Sequence, residues 1–567
     1  MKTQNTLKTA FADNMNKDCP HGEYPRPLLK RESFFSLNGL WDFAYSEQEP
    51  LEYTEKILVP FCPESSLSGI GRAHSDAELL FYRRSFTLPE GFKKDRNILQ
   101  FGAVDQTCEV FINEKEVGSH EGGYLPFSFD ITEFLYMGNN EIKVVARDTL
   151  SPIYPYGKQK KNRGGMWYTP VSGIWQTVWL ESLPESPINE IKITPTLQSV
   201  KIELDTAAKH KKLTLTDSGE VFEFEENEIT LTPREIKHWS PESPYLYRFK
   251  IETESDRIES YFALREISVK SFKGVARLCL NGEPYLFHGL LDQGYFPDGI
   301  YLPATSEGYV KDITTAKALG FNMLRKHIKI EPAIFYYLCD TLGMVVFQDM
   351  VNNSDYSFIR DTALPTLGLK GISDKRLHKN PTSRKIFLNH SKDTIALLYN
   401  HPSILSYTVF NEGWGQFASD EVYQSLKALD KTRVFDATSG WFWQRESDLD
   451  SHHVYFKKLK TKIHPSRPTV ISEFGGYSHR CEGHLFGDKN YGYKTFRERA
   501  DFYAAIERLY LDEVLPLVKN GVSALVYTQI SDVEDETNGL LTYDRSVLKV
   551  DAERFSKISK TIKDASK

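Results

Sequence analysis

Two glutamates follow directly on apolar, strand-like runs of sequence. The run ILSYTVF at 404–410 leads into Asn411 and Glu412, and the run PTVIS at 468–472 leads into Glu473. Two carboxylates that converge on one bond are the machinery of glycoside hydrolysis, because a protonated one assists the leaving oxygen while an ionised one attacks the anomeric carbon. A glutamate after a strand also serves simply to cap the next helix or to bind an arginine, so the pattern alone leaves both interpretations open.

The mutual charge of the two carboxylates assigns their roles. We assign Glu412 as the acid/base and Glu473 as the nucleophile. The charge on a nucleophile raises the pKa of a nearby acid, and formation of the glycosyl-enzyme removes that charge, so the acid becomes a base for water. The Asn411 side chain is placed to hydrogen-bond the sugar 2-hydroxyl, a contact that strengthens in the transition state. This chemistry requires the two carboxyl groups to lie about 5–5.5 Å apart, facing a common hollow.

Alternating strand-like and helix-like runs occupy the chain after about residue 275. The candidate strands lie at 285–291, 322–327, 344–350, 404–413, 433–440, 450–455, 468–476 and 524–530. Eight such strands with helices between most of them predict a (β/α)8 barrel, in which functional groups lie where the strands end at the C-terminal face. The fourth and seventh strands carry Glu412 and Glu473, so their carboxylates are predicted to converge. The irregular insertion at about 351–383 is predicted to cover the barrel mouth.

Two stretches in front of the barrel predict β-sandwiches. From about 20 to 185, short aromatic and β-branched runs are broken by Gly, Asn and Pro, which is typical of an all-β sandwich. From about 186 to 268 the strand-like runs are shorter and more charged, and this length suits an immunoglobulin-like sandwich. A barrel at 275–567 makes three domains, in agreement with the roughly 100–200 residues that a domain usually takes.

Composition and charge exclude several other classes of protein. The chain of 567 residues carries a net charge of −7 with no sustained basic run, which argues against a nucleic-acid partner. No window approaches the length of apolar sequence that a membrane span needs. The N-terminus lacks an apolar segment of secretory type, and the 6 cysteines are far apart with no CxxC pair, which argues against disulfides and zinc. A cytoplasmic location is predicted, with a nonclassical export route as the alternative.

Longer motifs connect the chain to a known family. In chain order they are NGLWDF (38–43), FYRRSF (81–86), SGIWQTVWLE (172–181), WSPESPYLY (239–247), NGEPYLFHG (281–289), GFNMLRKH (320–327), NEGWGQF (411–417) and ISEFGG (471–476). With these motifs the chain resembles glycoside hydrolase family 2, the group of β-galactosidases, β-glucuronidases and β-mannosidases, from about residue 24 to 550. The resemblance implies a β jelly-roll sugar-binding domain at 20–185, an immunoglobulin-like β-sandwich at 186–268 and a catalytic (β/α)8 TIM barrel at 275–567.

The resemblance also carries site residues onto this chain. NEGWGQF and ISEFGG are similar to the family's acid/base and nucleophile segments, which supports the assignment of Glu412 and Glu473. His327, after the second strand, is similar to a histidine near the bound sugar. Tyr455, after the sixth strand, looks like the tyrosine that touches the nucleophile. The alternatives are a hydrogen-bonded structural histidine and simple packing of the tyrosine.

Further positions follow from the resemblance alone. Asp292 lies past the first strand, where members of the family often place a polar sugar contact. Tyr527 lies on the eighth strand, where many members have tryptophan, and is predicted to bind the substrate. Trp441 and Trp443 form either a stacking platform for the sugar or the closure of the barrel rim.

Departures from the family bear on cofactor and substrate. The acidic stretch that supplies magnesium ligands in large β-galactosidases is not evident before Glu412, so neither a metal nor another cofactor is predicted. His452 and His453 are adjacent and point to opposite sides of a strand, which argues against a joint metal site. The Asn-x-Lys element that binds the uronate carboxylate in β-glucuronidases is not clear, and DRSVLK (544–549) is a poor substitute. FQD at 347–349 favours the β-mannosidase-like branch, whereas NEGWGQF argues against that branch.

Together these observations predict a retaining exo-β-glycosidase that hydrolyses a terminal β-linked sugar. A β-galactoside is the first choice, with a β-glucuronide or β-mannoside as alternatives. The predicted partner is the carbohydrate substrate, without nucleic acid or membrane, and a homo-oligomer stays an open alternative to a monomer. The rival from another class is a noncatalytic carbohydrate-binding protein on the same scaffold, but the presence of Asn411, Glu412 and Glu473 argues against a decayed site. Glycosyl transfer to an acceptor other than water uses the same carboxylates and stays open.

Overall fold

The front of the chain is a jelly-roll β-sandwich. The computed structural model describes residues 7–369 and 371–567. The strands of the sandwich are β1 (Phe35–Ser36), β2 (Gly39–Ser46), β3 (Glu55–Val59), β4 (Leu79–Thr87), β5 (Arg96–Phe101), β6 (Val104–Asp105), β7 (Thr107–Ile112), β8 (Lys115–Glu121), β9 (Phe127–Asp130), β10 (Asn139–Arg147), β11 (Gly173–Ile174) and β12 (Val178–Leu183). Its main antiparallel sheets have the orders β1-β12-β5-β9 and β3-β2-β4-β10-β7-β8. In β10, Ile142, Val144 and Ala146 are buried and the residues between them are not, as expected for a strand with one face on a core.

An immunoglobulin-like sandwich follows. Its strands are β13 (Ile188–Pro195), β14 (Val200–Thr206), β15 (Lys211–Leu215), β16 (Val221–Phe224), β17 (Glu228–Leu231), β18 (Tyr247–Glu252) and β19 (Arg257–Phe262), in sheets of order β13-β14-β17 and β16-β15-β18-β19. The buried Arg265 donates to the carbonyl oxygens of Pro402 at 3.2 Å and Ile404 at 3.3 Å, and so joins this domain to the start of a barrel strand. A small antiparallel sheet of β20 (Ile267–Phe272), β21 (Val275–Leu280) and β22 (Glu283–Pro284) leads into the barrel.

The rest of the chain forms a nearly closed parallel barrel, which confirms the predicted (β/α)8 fold. The strands are β23 (Phe287–Asp292), β24 (Met323–Lys326), β25 (Val345–Asp349), β26 (Ile404–Asn411), β27 (Val434–Ser439), β28 (Asp450–Val454), β29 (Thr469–Gly475), the short outer pair β30 (Tyr477–His479) and β31 (Lys494–Phe496), and β32 (Ala524–Thr528). The hydrogen-bonded order is β27-β26-β25-β24-β23-β32-β29-β28. Sequence order around the ring therefore places β26 as the fourth barrel strand and β29 as the seventh.

Helices cover the outside of the barrel and its mouth. They are α1 (Glu307–Ala318), α2 (Ala333–Leu342), α3 (Leu364–Thr366), α4 (Pro381–Leu398), α5 (Ser419–Lys427), α6 (Arg499–Arg508), α7 (Leu515–Lys519) and α8 (Ala552–Asp564), with π-helical segments at Ile359–Ala363 and Leu509–Val514 and 3₁₀ turns at Ala10–Asn14, Pro27–Leu29, Thr132–Phe134 and Asp374–Arg376. Asn380 caps α4 by accepting from the backbone N–H of Thr382 and Ser383, and Pro381 occupies its first turn, where no N–H donor is needed. Pro516 likewise opens α7.

Two further features bear on the class of protein. Within the described residues no helix combines the length and apolar character that crossing a membrane requires. All six cysteines are described, and each is a free thiol.

Candidate active site

The two glutamates share one hollow at the C-terminal ends of the barrel strands. Glu412 is the first residue after β26, and Glu473 lies in β29. One carboxylate oxygen from each and one ring nitrogen of His453, from β28, all lie within 4.8 Å of one another. The Glu412 side chain is 12% exposed and the Glu473 side chain 6%, so both carboxylates are largely withdrawn from water without being sealed off.

Both oxygens of Glu473 accept a hydrogen bond from a fixed donor. Nη1 of Arg325, from β24, donates to Oε1 at 3.0 Å. The Tyr455 hydroxyl donates to Oε2. Burial and the neighbouring charge of Glu473 raise the pKa of Tyr455 well above its ordinary value, so the phenol keeps its proton and remains a donor. A cation and a phenol thus fix the position of the Glu473 carboxylate from two sides.

Arg325 organises this half of the hollow. Its guanidinium is 1% exposed and binds both oxygens of Asp349, with Nε to Oδ1 at 3.0 Å and Nη2 to Oδ2 at 2.9 Å. Nη2 also donates to Oδ1 of Asn411 at 2.9 Å. Burial opposes the charge on Asp349, but Arg325 and His327 outweigh burial and hold the pKa of Asp349 below its ordinary value. An always-charged planar donor is therefore fixed between the second, third, fourth and seventh strands.

Glu412 has a different environment. Its backbone has φ of 52°, in the left-handed region that residues other than glycine seldom adopt. Its N–H donates to the Ser439 carbonyl at 2.9 Å, and its own carbonyl accepts from Nε1 of Trp441 at 2.9 Å. Oε1 of Glu412 lies 2.8 Å from Nδ1 of His453. Strands β27 and β28 thus hold both the backbone and the carboxylate of Glu412 from one side.

The surroundings of His453 determine which of its nitrogens carries the proton. Nε2 lies 3.3 Å from Nη1 of Arg325 and 2.8 Å from the Ser439 hydroxyl. An arginine can only donate, so we assign Nε2 as the acceptor and place the hydrogen on Nδ1. Nδ1–H then donates to Oε1 of Glu412.

Asn411 and His327 each keep one polar atom for a ligand. Within the described residues, Nδ2 of Asn411 makes no hydrogen bond, while Oδ1 is held by Arg325. Nδ1 of His327 lies 2.8 Å from Oδ2 of Asp349. Burial is the main reason why the pKa of His327 lies below its ordinary value, so the ring is neutral near pH 7 and Nε2 is an acceptor. An amide donor and an imidazole acceptor suit two sugar hydroxyls.

The two tryptophans after β27 are held by hydrogen bonds to backbone carbonyls. Trp441 is 7% exposed, donates to the carbonyls of Glu412 and Asp361, and sits edge-on to His453 with ring centroids 5.7 Å apart. Trp443 lies on the other side of the strand against His452 and donates to the Ser451 carbonyl. Of the two alternatives, this geometry favours rim closure.

The structure places two of the sugar contacts that the resemblance implied outside this group. Asp292 binds the Lys326 ammonium at 2.7 Å and accepts from the Gly294 N–H at 2.9 Å, so both of its oxygens are used within the fold. Tyr527 is 0% exposed and packs among Phe474 and Tyr510, on the helix side of the barrel wall. Alternate residues of a strand face opposite sides, and it is Thr528, whose hydroxyl lies 3.3 Å from the Tyr455 hydroxyl, that faces the hollow.

The jelly-roll domain supplies another wall of the hollow. Trp167 stacks on Trp414, two residues after Glu412, with centroids 5.2 Å apart and planes at 27°. The Tyr168 hydroxyl donates to Oε2 of Glu536, which follows β32. Burial is the main cause that raises the pKa of Glu536, and the negative charge of Glu473 adds to it. A segment more than two hundred residues earlier in the chain thus completes the site.

Glu412, His453 and Glu473 have the donor atoms and the spacing to ligate a cation. His452 does not join them, because it faces the opposite side of β28 and pairs with Asp450 at 2.9 Å. The Arg325 guanidinium already supplies a positive charge at 3.0 Å from Glu473, and a metal ion beside it would be repelled. The arrangement suits a pair of catalytic carboxylates better than a metal centre.

Several members of this group were missed from the sequence. Arg325, Asp349 and His453 face the hollow from strands β24, β25 and β28, and Lys158 and Glu536 lie in loops. Strand alternation offered a signal for two of them. Met323 packs in the inner core of the barrel, and Arg325, two residues later on the same strand, faces the same side. On β28, Ser451 hydrogen-bonds to Ser472, and His453, two residues later, again faces the same side as Ser451. Nothing local in the sequence marks Lys158.

Comparison with protein families gives three consecutive matches. Residues 70–184 match the profile described as "Glycosyl hydrolases family 2, sugar binding domain". Residues 187–265 match "Glycosyl hydrolases family 2", and residues 275–500 match "Glycosyl hydrolases family 2, TIM barrel domain". The matches follow the three-part architecture along the chain.

Curated relatives and solved structures agree with these matches. A β-galactosidase of Pseudoalteromonas haloplanktis is 23% identical over 88% of this chain and 49% of its own length. A putative β-glucuronidase of Formosa agariphila is 27% identical over 71% of this chain and 46% of its own length, so this chain spans about half the length of these relatives. Among solved structures, a β-glucuronidase from an uncultured Clostridium sp. has a TM-score of 0.75 at 19% identity and covers 94% of this chain and 99% of its own. A β-galacturonidase from Eisenbergiella tayi bound to galacturonate has a TM-score of 0.68 at 20% identity, covering 94% and 98%.

Proposed function

The chain belongs to glycoside hydrolase family 2, and on that premise we propose that it is a retaining exo-β-glycosidase that acts by double displacement. The observation that carries the proposal is the closeness of Glu412 and Glu473, whose oxygens lie within 4.8 Å in a common hollow. Retaining glycosidases hold their two carboxyl groups about 5–5.5 Å apart, whereas inverting enzymes leave room for a water molecule at about 6.5–9.5 Å.

In the first step Glu473 attacks the anomeric carbon of the terminal sugar. The bond from that carbon to the leaving oxygen breaks, and Glu412 transfers its proton to this oxygen. Arg325 and Tyr455 fix the orientation of the Glu473 carboxylate, so that little reorganisation is needed during attack. The product of this step is an ester between Glu473 and the sugar, with the aglycone released as an alcohol.

In the second step water replaces Glu473. Ester formation neutralises Glu473, so the repulsion that kept Glu412 protonated is relieved, and Glu412 accepts a proton from the attacking water. The carbon–oxygen bond of the ester breaks and the sugar leaves with its original β configuration. His453 holds Oε1 of Glu412 and so orients this carboxyl group through both steps.

The bound sugar contacts Asn411 and His327. Nδ2 of Asn411 is a donor for the 2-hydroxyl oxygen, and Nε2 of His327 is an acceptor for another hydroxyl. Since Arg325 holds Oδ1 of Asn411, rotation of the amide is blocked and its donor stays directed into the hollow. Contacts to the 2-hydroxyl strengthen as the transition state forms.

The substrate is a β-linked terminal sugar, and two candidates stand out. A β-galactoside is the candidate that the sequence favours, and several curated relatives are named β-galactosidase. A β-hexuronide is favoured by one feature of the structure, the buried Lys158 on the jelly-roll side of the hollow. Hydrolysis and transfer of the sugar to another acceptor share the same covalent intermediate, so product analysis with an added alcohol separates them.

Mechanism-based labelling tests the proposal. A 2-deoxy-2-fluoro β-glycoside with a good leaving group should label Glu473 covalently, and mass spectrometry of the digested protein locates the label. Glu473→Gln should abolish labelling, while Glu446→Gln, a surface change on the same domain, should leave it unchanged. Sugar binding without labelling would instead support a noncatalytic carbohydrate-binding protein. If NMR showed that the α anomer of the sugar is released first, this result would contradict the double displacement.

A further inference from the structure

One lysine of the jelly-roll domain reaches the wall of the hollow. Lys158 is 7% exposed, and its ammonium lies 5.0 Å from the ring centroid of Trp414 and 5.7 Å from that of Tyr168. Trp414 follows Glu412 by two residues and also faces His327, with ring centroids 6.2 Å apart. Tyr168 donates its hydroxyl to Glu536. Lys158 therefore lies where the front domain and the barrel close over the candidate active site.

The position of Lys158 corresponds to the sugar side of the hollow. After burial, the Lys158 charge is the largest influence on the pKa of Glu536, and it also lowers the pKa of His327. The negative charge of Glu473 raises the pKa of both groups. The ammonium thus lies on the side of the hollow that holds Trp414 and His327.

Among the described residues, Lys158 differs from six other cations around the barrel mouth, which pair with carboxylates. The paired cations are Arg163, Arg325, Lys326, Lys329, Arg545 and Lys549, each with at least one carboxylate. Among the described residues no carboxylate lies within ion-pairing distance of the Lys158 nitrogen, which faces the two aromatic rings instead. A largely buried cation without a carboxylate in direct contact is costly, so a ligand of opposite charge would stabilise it at this position.

We propose that Lys158 binds the carboxylate of a β-linked hexuronic acid, which makes the glycone a uronide rather than a neutral hexose. The proposal rests on the proposed glycosidase function, since it names the sugar that occupies the same hollow. The aromatic rings beside the ammonium exclude water and strengthen its pairing with an anion. In the sugar, the carboxylate is carried by C5, on the far side of the ring from the 2-hydroxyl that Asn411 would hold.

The test compares matched substrates that differ only at C6. Rates are measured with p-nitrophenyl β-D-glucuronide and β-D-galacturonide against the corresponding glucoside and galactoside. We expect kcat/KM for the better uronide to exceed that of its neutral partner by about 100-fold or more. Lys158→Met should lower this ratio by about 100-fold, because one partner of a desolvated ion pair is lost. Lys158→Arg should restore part of it.

A neighbouring lysine provides the matched control. Lys160 belongs to the same segment and also lies over an aromatic ring, 5.3 Å from the centroid of Trp167, but it is exposed to solvent. Lys160→Met should leave the uronide-to-hexoside ratio unchanged. A second readout does not depend on turnover: free glucuronate or galacturonate should raise the melting temperature of the Glu473→Gln protein more than glucose or galactose does. Adding Lys158→Met should remove that difference.

The possible results separate this proposal from the one on which it rests. A preference for neutral hexosides, with covalent labelling of Glu473 intact, would overturn the uronide assignment and leave the glycosidase proposal standing. If Lys158→Met lowered kcat/KM equally for uronides and neutral hexosides, the role of Lys158 would be structural and the uronide assignment would be overturned. A preference for a 6-O-sulfated galactoside over both uronides would overturn the carboxylate as the anion. Absence of labelling and of turnover with every sugar would overturn both proposals.

Discussion

The two halves of the hollow each hold a glutamate, and they do so in different ways. Glu473 lies within a strand and binds a permanent cation, Arg325, and a phenol, Tyr455. Glu412 lies just past a strand, in the left-handed backbone region, and its carboxylate contacts a neutral imidazole. The two carboxylates therefore have different surroundings, since a permanent cation and a phenol bind one and an imidazole binds the other. The following predictions test this contrast.

The largest effect is expected at Glu473. Glu473→Gln should lower kcat/KM by about 10⁴-fold or more for every leaving group, because the covalent intermediate can no longer form. Rates with dinitrophenyl and alkyl glycosides measure this. In Glu473→Gly, added azide should restore turnover and give the α-glycosyl azide, since azide then attacks from the vacated side. If this variant gave the β-glycosyl azide, the roles assigned to the two glutamates would have to be exchanged.

Glu412→Gln should have an effect that depends on the leaving group. Loss of the proton donor should cost about 10²–10⁴-fold for alkyl glycosides. Dinitrophenyl glycosides should form the glycosyl-enzyme at a nearly unchanged rate, because their leaving group needs no protonation, and a burst of dinitrophenolate should precede slow turnover. Azide should then give the β-glycosyl azide. A uniform loss across all leaving groups would argue against an acid/base role.

Tyr455→Phe should act on the nucleophile half alone. Removing a hydrogen bond to a charged carboxylate should lower kcat by about 10–100-fold, again regardless of the leaving group. The control is Tyr493→Phe, because the Tyr493 ring stacks on Tyr455 with centroids 3.8 Å apart and keeps this packing without its hydroxyl. An equal loss in both variants would attribute the effect to packing rather than to the hydrogen bond.

His453→Gln should act on the acid half. We expect a loss of about 10-fold, the worth of one hydrogen bond that orients Glu412. Since the imidazole acts through Glu412, the loss should grow as the leaving group becomes more basic, which a plot of log kcat/KM against leaving-group pKa detects. A loss of the same size for all leaving groups would assign His453 to the nucleophile half, through Arg325.

The smallest expected effect concerns the backbone and not the rate. At position 412, where φ is 52°, Glu412→Gly should be more stable than Glu412→Ala by about 1 kcal/mol, because a side chain is strained in the left-handed region. In the strand at position 473 the order should reverse, with Glu473→Gly less stable than Glu473→Ala by about 0.5–1 kcal/mol. Denaturant unfolding measures both pairs. The same order at both positions would remove the backbone part of the contrast.

Much of the architecture could be predicted because its signals are local. Eight apolar runs, separated by helical stretches and glycines, indicate the barrel strands, and the residue that follows an apolar run in such a barrel lies at the functional face. Glu412, Glu473 and Asn411 were predicted as site residues in this way. Tyr527 shows the limit of this local reasoning, because core packing decides which alternate residues of a strand face the inside of the barrel. On β32 these are Val526, which packs in the inner core, and Thr528, and not Tyr527 between them.

The remaining members of the site depended on which strands become neighbours. Arg325 meets Glu473 across 148 positions of chain and meets Asn411 across 86, contacts that exist only because the sheet curls into a ring. Lys158 meets Trp414 only because the jelly-roll domain folds back over the barrel mouth. The amino-acid sequence by itself determined the strands, the sandwiches and the two glutamates, since each depends on a short stretch of residues. Only the tertiary structure decided which charge stands beside which, because electrostatic contacts act through space and not along the chain.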